Sequence, residues 1–204
     1  GTSSVLRFAL DQRIKRLHYA STLSVFVSTD RNSGVALEKD DLAQTKTVYG
    51  GYAQSKWAAE ILLRSAPQSL PLNIYRFGLL TGDATSHCPE HDLFAMTVRG
   101  LVQMRCVPAS ADQLAVDITP VDFAARSMVE IARDRMKSAG ARHQAAWHIA
   151  NPESLSSQEL FESLIDVCPG LDRVSNDEFL RRVSSCGEAC LLYTSPSPRD
   201  EKVS

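Results

Sequence analysis

No two of the five cysteines (Cys88, Cys106, Cys168, Cys186 and Cys190) are spaced as a C-x-x-C pair, which argues against a structural zinc site and against a disulfide framework. They read as free thiols. The cluster "HCPEHD" brings His87, Cys88 and His91 close together, but it contains a proline and has no second ligand group nearby, so it reads as a polar loop and no metal is expected. A run of roughly 20 apolar residues, the length a membrane helix needs, is also missing. The first residues, "GTSSVLRFALDQRIKR", have neither the layout of a signal peptide nor a Met. No membrane span and a cytoplasmic setting are therefore expected. There is no Lys/Arg-rich block and the net charge is −2, so nucleic acid and anionic membrane are not expected as partners. No internal repeat and no G-x-G pattern occurs anywhere in the chain.

The sequence does contain an ordinary apolar content of 44% in 204 residues, enough to bury a core, arranged as alternating helical and extended segments. "SVLRFALDQRI" has apolar residues at helical spacing, and "RLHYAST" reads as a short buried strand ending in small hydroxylated residues. A polar loop follows, then a helix over Tyr52 to Arg64 and a β-rich run, "LPLNIYRFGLLTGD". Further on come a helix over Leu93 to Met104, an extended "AVDIT", a helix over Val121 to Met136 just after Pro120, an extended "AAWHIA", and a helix over Ser157 to Val167. "SSQE", ending at Glu159, has the pattern of a capping box for that last helix. Such alternation predicts an α/β layered fold with parallel strands. Asp122 reads as a helix-start residue, Trp57 and Trp147 as packing, and His148 as a residue at a strand end.

The tail "CLLYTSPSPRD" breaks abruptly with the preceding helical pattern. It matches the translation of a transposase-type sequencing adapter, and "EKVS" fits its continuation. Residues 190–204 are accordingly read as non-native, and residues 1–189 as the credible protein.

In "GGYAQSKWAAE" two glycines precede a run of good helix formers, and Tyr52 and Lys56 lie four residues apart on one helical face. A Tyr facing a sheet is more often core, and a Lys one turn on is more often a solvated charge. The pair gains meaning from its neighbours. "HYASTLSVF", "GGYAQSKWAAE", "IYRFGLLTGD", "VDITPVDFAARSMVEIA" and "AWHIANPESLSSQELF", in this order, resemble the extended short-chain dehydrogenase/reductases. Within that family they resemble the thioester reductase domains of nonribosomal peptide and polyketide synthases and of carboxylic acid reductases.

The resemblance covers roughly Gly1 to Val167. It implies the C-terminal part of a Rossmann-like, doubly wound parallel sheet with a small substrate-binding subdomain. The N-terminal half, with its Gly-rich pyrophosphate-binding turn, is missing from the sequence. It further implies NADPH or NADH as cofactor, and as partner an acyl thioester on a phosphopantetheine carrier domain or coenzyme A, reduced to an aldehyde or onward to an alcohol. Thr22, Tyr52 and Lys56 take the positions of the catalytic triad, with Ser21 and Ser24 as nearby hydroxyls. The same three residues, with Phe77 and Gly78, take cofactor-contacting positions. Family members usually have proline where this chain has Phe77, so the turn there is expected to differ. The chemistry suits these residue types, because hydride arrival puts negative charge on the carbonyl oxygen, which needs a proton donor and fixed hydrogen bonds. An ammonium one helical turn from a phenol favours the phenolate.

Two alternatives are an extended relative acting on a nucleotide sugar or sterol as epimerase, dehydratase or dehydrogenase, and a non-catalytic scaffold of the same fold. "HCPEHDLFAMTVRG" shows no basic cluster suited to a diphosphate, and the intact triad argues against a scaffold.

Overall fold

The computed structural model describes residues 1–27, 35–42, 47–83, 85, 88–89, 92–109, 115–137 and 144–186. In chain order the elements are α1 (Thr2–Leu10), β1 (Leu17–Thr22), α2 (Gly51–Arg64), β2 (Leu72–Phe77), β3 (Leu79–Thr81), α3 (Leu93–Met104), β4 (Cys106–Pro108) and β5 (Ala115–Val116). They continue with β6 (Ile118–Pro120), α4 (Val121–Lys137), β7 (Gln144–Ile149), β8 (Leu155–Ser156), α5 (Ser157–Val167), β9 (Asp172–Val174) and α6 (Asn176–Ser185). The described residues form two compact units, those within 1–85 and 117–152, and those within 86–116 and 153–186.

The first unit is built on a parallel sheet of order β1-β2-β7. All six residues of the middle strand β2 are buried, the polar Asn73 and Arg76 included, as in a strand covered on both faces. Alternation along β2 sends Leu72 and Ile74 to one face, where they pack with Ala9 of α1 and Leu63 of α2. Tyr75 and Phe77 point to the other face, against Ala124 of α4 and Ile149 of β7. Helices thus cover both faces of the sheet, in keeping with the layered α/β fold expected from the alternating sequence and with the doubly wound sheet that the resemblance implies. The short pair β3-β6, also parallel, delivers the chain through Pro120 directly into α4.

The helix over Ser4 to Ile14 expected from periodicity stops earlier. The chain turns extended at Asp11 and left-handed at Gln12, with a φ of 51°, and Lys15 Nζ donates to the carbonyls of Phe8, Asp11 and Arg13.

In the second unit, β4 pairs in parallel with β9, and β5 pairs antiparallel with β8. Its core gathers Leu101, Val107 and Leu171 with partly buried side chains of α3, α5 and α6. The capping box is present: Ser156 Oγ accepts from Glu159 N at 3.1 Å, and the Glu159 carboxylate accepts from Ser156 N at 2.8 Å. Among the described residues no helix is long and apolar enough to cross a membrane, and no three potential ligands cluster for a metal. Cys88 is exposed, while His87, His91 and residues 190–204 lie outside the described residues.

Candidate active site

The carboxyl end of β1 and the amino-terminal half of α2 build the site. Gly50, in the left-handed region at φ 87°, turns the chain into α2, a conformation that glycine adopts without strain. Tyr52 lies in the first turn of α2 and is 63% exposed, so it is not a core tyrosine. Lys56, one turn further, donates from Nζ to the carbonyl of Ala20 at 3.1 Å, and its ammonium stands 5.3 Å from the Tyr19 ring centroid. The lysine is therefore fixed against β1 two residues before Thr22. Among the described residues that carbonyl takes one of its three N–H donors, which leaves others for a ligand hydroxyl.

Tyr19 is influenced by the same neighbours. Burial pushes its phenol pKa up, the Glu60 carboxylate adds to this, a hydrogen bond involving Thr2 opposes it, and Tyr52 raises it slightly further.

Thr22 ends β1 and is 7% exposed. Its Oγ1 accepts from Ser24 N at 3.2 Å and donates to Ser24 Oγ at 3.1 Å, starting a short 3-10 turn over Leu23–Phe26. Of the three hydroxyls near this strand end, Ser21 is committed elsewhere, because its Oγ donates to the buried Glu60 carboxylate at 2.5 Å. Phe77 lies in register with Thr22 and Ile149 and stacks on Tyr75, with ring centroids 6.5 Å apart, so its side chain belongs to the core beneath α4. Gly78 follows it, donating its N–H to Ile149 O at 3.0 Å. The Cβ of any other residue there would meet Asp117 Oδ2 at 1.5 Å.

Sequence reasoning missed a polar row beside this site. Glu60 and Arg76 are both fully buried, and Arg76 Nη2 donates to Glu60 Oε2 at 2.8 Å. Arg76 Nη1 reaches His148 Nε2 at 3.2 Å, with the Arg76 guanidinium 4.7 Å from the Phe26 ring centroid. His148 is held below the usual histidine range, first by burial and then by the Arg76 charge. The available signal was a lone arginine inside "IYRFGLL", which a buried strand tolerates only with a partner. Trp57 and Trp147 pack as expected, and Trp57 Nε1 also donates to Leu42 O at 2.9 Å. Asp122 sits in the first turn of α4 and pairs with Arg126.

The NAD-binding family described as "Male sterility protein" matches residues 1–128. The chain belongs to that family. It is 30% identical over 186 residues to a linear gramicidin synthase of Brevibacillus parabrevis, covering 90% of this chain and 4% of that protein. It is 31% identical over 202 residues to a nonribosomal peptide synthetase of Aspergillus hancockii, covering 94% of this chain and 19% of that protein.

Among solved structures, the terminal R domain of the myxalamid PKS-NRPS pathway superposes with a TM-score of 0.79 at 32% identity, over 96% of this chain and 50% of that one. This agrees with the Rossmann-like α/β class expected from the sequence. The chain thus spans about half of that solved reductase domain and a small fraction of the curated relatives.

The family's nicotinamide dinucleotide fits the residues present on one side. Among the described residues Lys56 keeps N–H donors beyond the one given to Ala20 O, and Thr22 offers a hydroxyl at the strand end, whereas the 204 residues contain no Gly-rich turn to hold a pyrophosphate.

Proposed function

We propose that residues 1–189 are the carboxyl-terminal half of an NAD(P)H-dependent reductase domain, and that the complete domain reduces an acyl thioester, carried on a phosphopantetheine carrier domain or coenzyme A, to an aldehyde. Residues 190–204 are proposed to be foreign to it. The observation that carries this reading is the anchored Lys56, whose ammonium is fixed to β1 at Ala20 O on the helix face that also bears the exposed Tyr52. The synthetase relatives, the linear gramicidin synthase among them, support a carrier-bound substrate.

A nicotinamide held beside these residues would supply a hydride to the thioester carbonyl carbon, the carbonyl π pair moving onto oxygen. Tyr52 gives its phenolic proton to that oxygen, with Thr22 Oγ1 as hydrogen-bond partner of the same atom. Lys56 supports the phenolate left behind and would hold the ribose of the cofactor by a hydrogen bond. The hemithioacetal so formed then breaks its C–S bond, releasing the thiol and leaving the aldehyde. Thr22, Tyr52 and Lys56 are the proposed catalytic residues, with Phe77 and Gly78 contributing backbone beside the nicotinamide.

The test is steady-state reduction of an acyl thioester by the complete protein, with cofactor affinity measured separately. Tyr52→Phe is expected to lower turnover by about 10² or more with cofactor affinity nearly parental. Lys56→Met is expected to weaken both turnover and cofactor binding. Parental turnover in Tyr52→Phe would show that Tyr52 is not the acid.

A further inference from the structure

Glu60 lies two turns beyond Tyr52 and one beyond Lys56 on α2, so the three share a helix face. It is the fully buried end of that face. Its Oε1 accepts from Ser21 Oγ at 2.5 Å and from Arg76 Nε at 3.1 Å, and its Oε2 accepts from Arg76 Nε at 3.1 Å and Nη2 at 2.8 Å. On the far side, Arg76 Nη1 reaches the Glu38 carbonyl at 3.4 Å and donates to His148 Nε2 at 3.2 Å, so the imidazole is neutral with its proton on Nδ1. Ser21, Arg76 and His148 are register partners across β1, β2 and β7. They form one polar rung spanning the sheet, a single residue before the row that contains Thr22.

A buried ion pair is a weak source of stability, since desolvation offsets most of its attraction, but it strongly penalises any shift that separates the partners. Here the penalised shift is α2 sliding or rotating on β1 and β2. We infer that Glu60 and Arg76 are positioning residues that lock the register of α2, and hence Tyr52 and Lys56, to the strand end bearing Thr22. Because Ser21 precedes Thr22 directly, one carboxylate indexes the acid-bearing helix and the hydroxyl-bearing strand to the same point.

The inference rests on the triad reading above, and its test separates the two. In the complete protein, Glu60→Gln, Arg76→Met, the double variant, Ser21→Ala and, as a control on the triad, Tyr52→Phe are compared for kcat and KM with an acyl-coenzyme A and for thermal midpoint. Assays are run well below each midpoint. Glu60→Gln and Arg76→Met are each expected to lower kcat about 10-fold or more with KM within about 3-fold, because small misplacements of reacting groups are costly while binding contacts persist. The double variant is expected to be no worse than the poorer single one, as for two parts of one unit.

Parental kcat in folded Glu60→Gln or Arg76→Met, or fully additive losses in the double variant, overturns the inference. It leaves the triad reading intact if Tyr52→Phe still abolishes turnover. Parental turnover in Tyr52→Phe removes the triad reading itself, and the inference with it. Should the rung variants fail to fold, Ser21→Ala, which keeps the ion pair and removes one hydrogen bond, decides: a kcat about 3-fold or more below parental supports the inference, and a smaller loss overturns it.

Discussion

Replacing Gly78 with alanine should be far more damaging than its exposed-looking place between β2 and β3 suggests. The added Cβ would lie 1.5 Å from Asp117 Oδ2 and 2.5 Å from its Cγ, so either the carboxylate or the backbone must move. Neither moves easily. Asp117 is short, and its Oδ1 accepts from Thr119 Oγ1 at 2.8 Å and from Asn151 N at 2.9 Å, while Gly78 N is tied to Ile149 O at 3.0 Å. Hydrogen bonds to a charged acceptor contribute about 1.5–3 kcal/mol each, so losing the two at Asp117 points to a cost of about 3 kcal/mol or more. The same logic predicts non-additivity. Asp117→Ala alone should cost about 3 kcal/mol or more by deleting those bonds, and adding Gly78→Ala to it should cost under about 1 kcal/mol more, because the clash has gone. Urea unfolding followed by fluorescence is the assay, with Trp57 and Trp147 both reporting on this unit. A single Gly78→Ala cost below about 1 kcal/mol, or a double variant equal to the sum of the singles, would refute the reasoning.

Two further outcomes follow from charge and capping. His148 is held low by burial and then by Arg76, opposed by Glu38, Glu60 and Asp40, and His18 is held low by burial and then by Arg16. Their folded pKa values lie below the unfolded value of about 6.5, so the unfolded chain binds more protons; their contribution is complete above about pH 6.5 and is lost as pH falls through that value towards the folded ones. Unfolding free energy should thus drop between about pH 7 and pH 5, and a flat profile there, or one unchanged in His148→Asn, would count against the assignment. In the second unit, Ser156→Ala removes one half of the capping box and should cost about 1 kcal/mol, measured by urea unfolding of this chain, whereas Ser156→Asp should recover most of it. Equal stability of the alanine and aspartate variants would show that the cap is not what holds the start of α5.

The elements legible in the sequence were those whose signals are local. The capping box at Ser156 and Glu159, Pro120 at the entry to α4, and the apolar β2 run each need only a few neighbouring residues to be recognised. The Tyr52–Lys56 pair was legible for the same reason, as four-residue spacing on a helix fixes a shared face. The pairing of β4 with β9 was not, because it joins three-residue strands more than sixty residues apart whose side chains show no alternation. Helix α6 was legible only as a helical pattern ahead of Cys190, without bounds, because most of its residues are polar or charged.

The rung shows the deeper reason a site is only half visible in a sequence. Arg76 is marked by its setting, since a cation inside a six-residue buried strand must find an anion, but nothing in "IYRFGLL" says which one. Glu60 sits sixteen residues earlier on a helix, one turn from Lys56 and Arg64, where the default reading is a solvated charge. Helix periodicity puts Glu60 on the Tyr52 face, and strand periodicity puts Arg76 on the same side of β2 as Leu72 and Ile74. The two meet only because α2 covers that side of the sheet. Local periodicities therefore give the direction of each side chain, and the layer order decides which directions converge. Tyr52 and Lys56 can be recognised before the fold is known, whereas Glu60 and Arg76 acquire their role only once α2 is laid on β1 and β2.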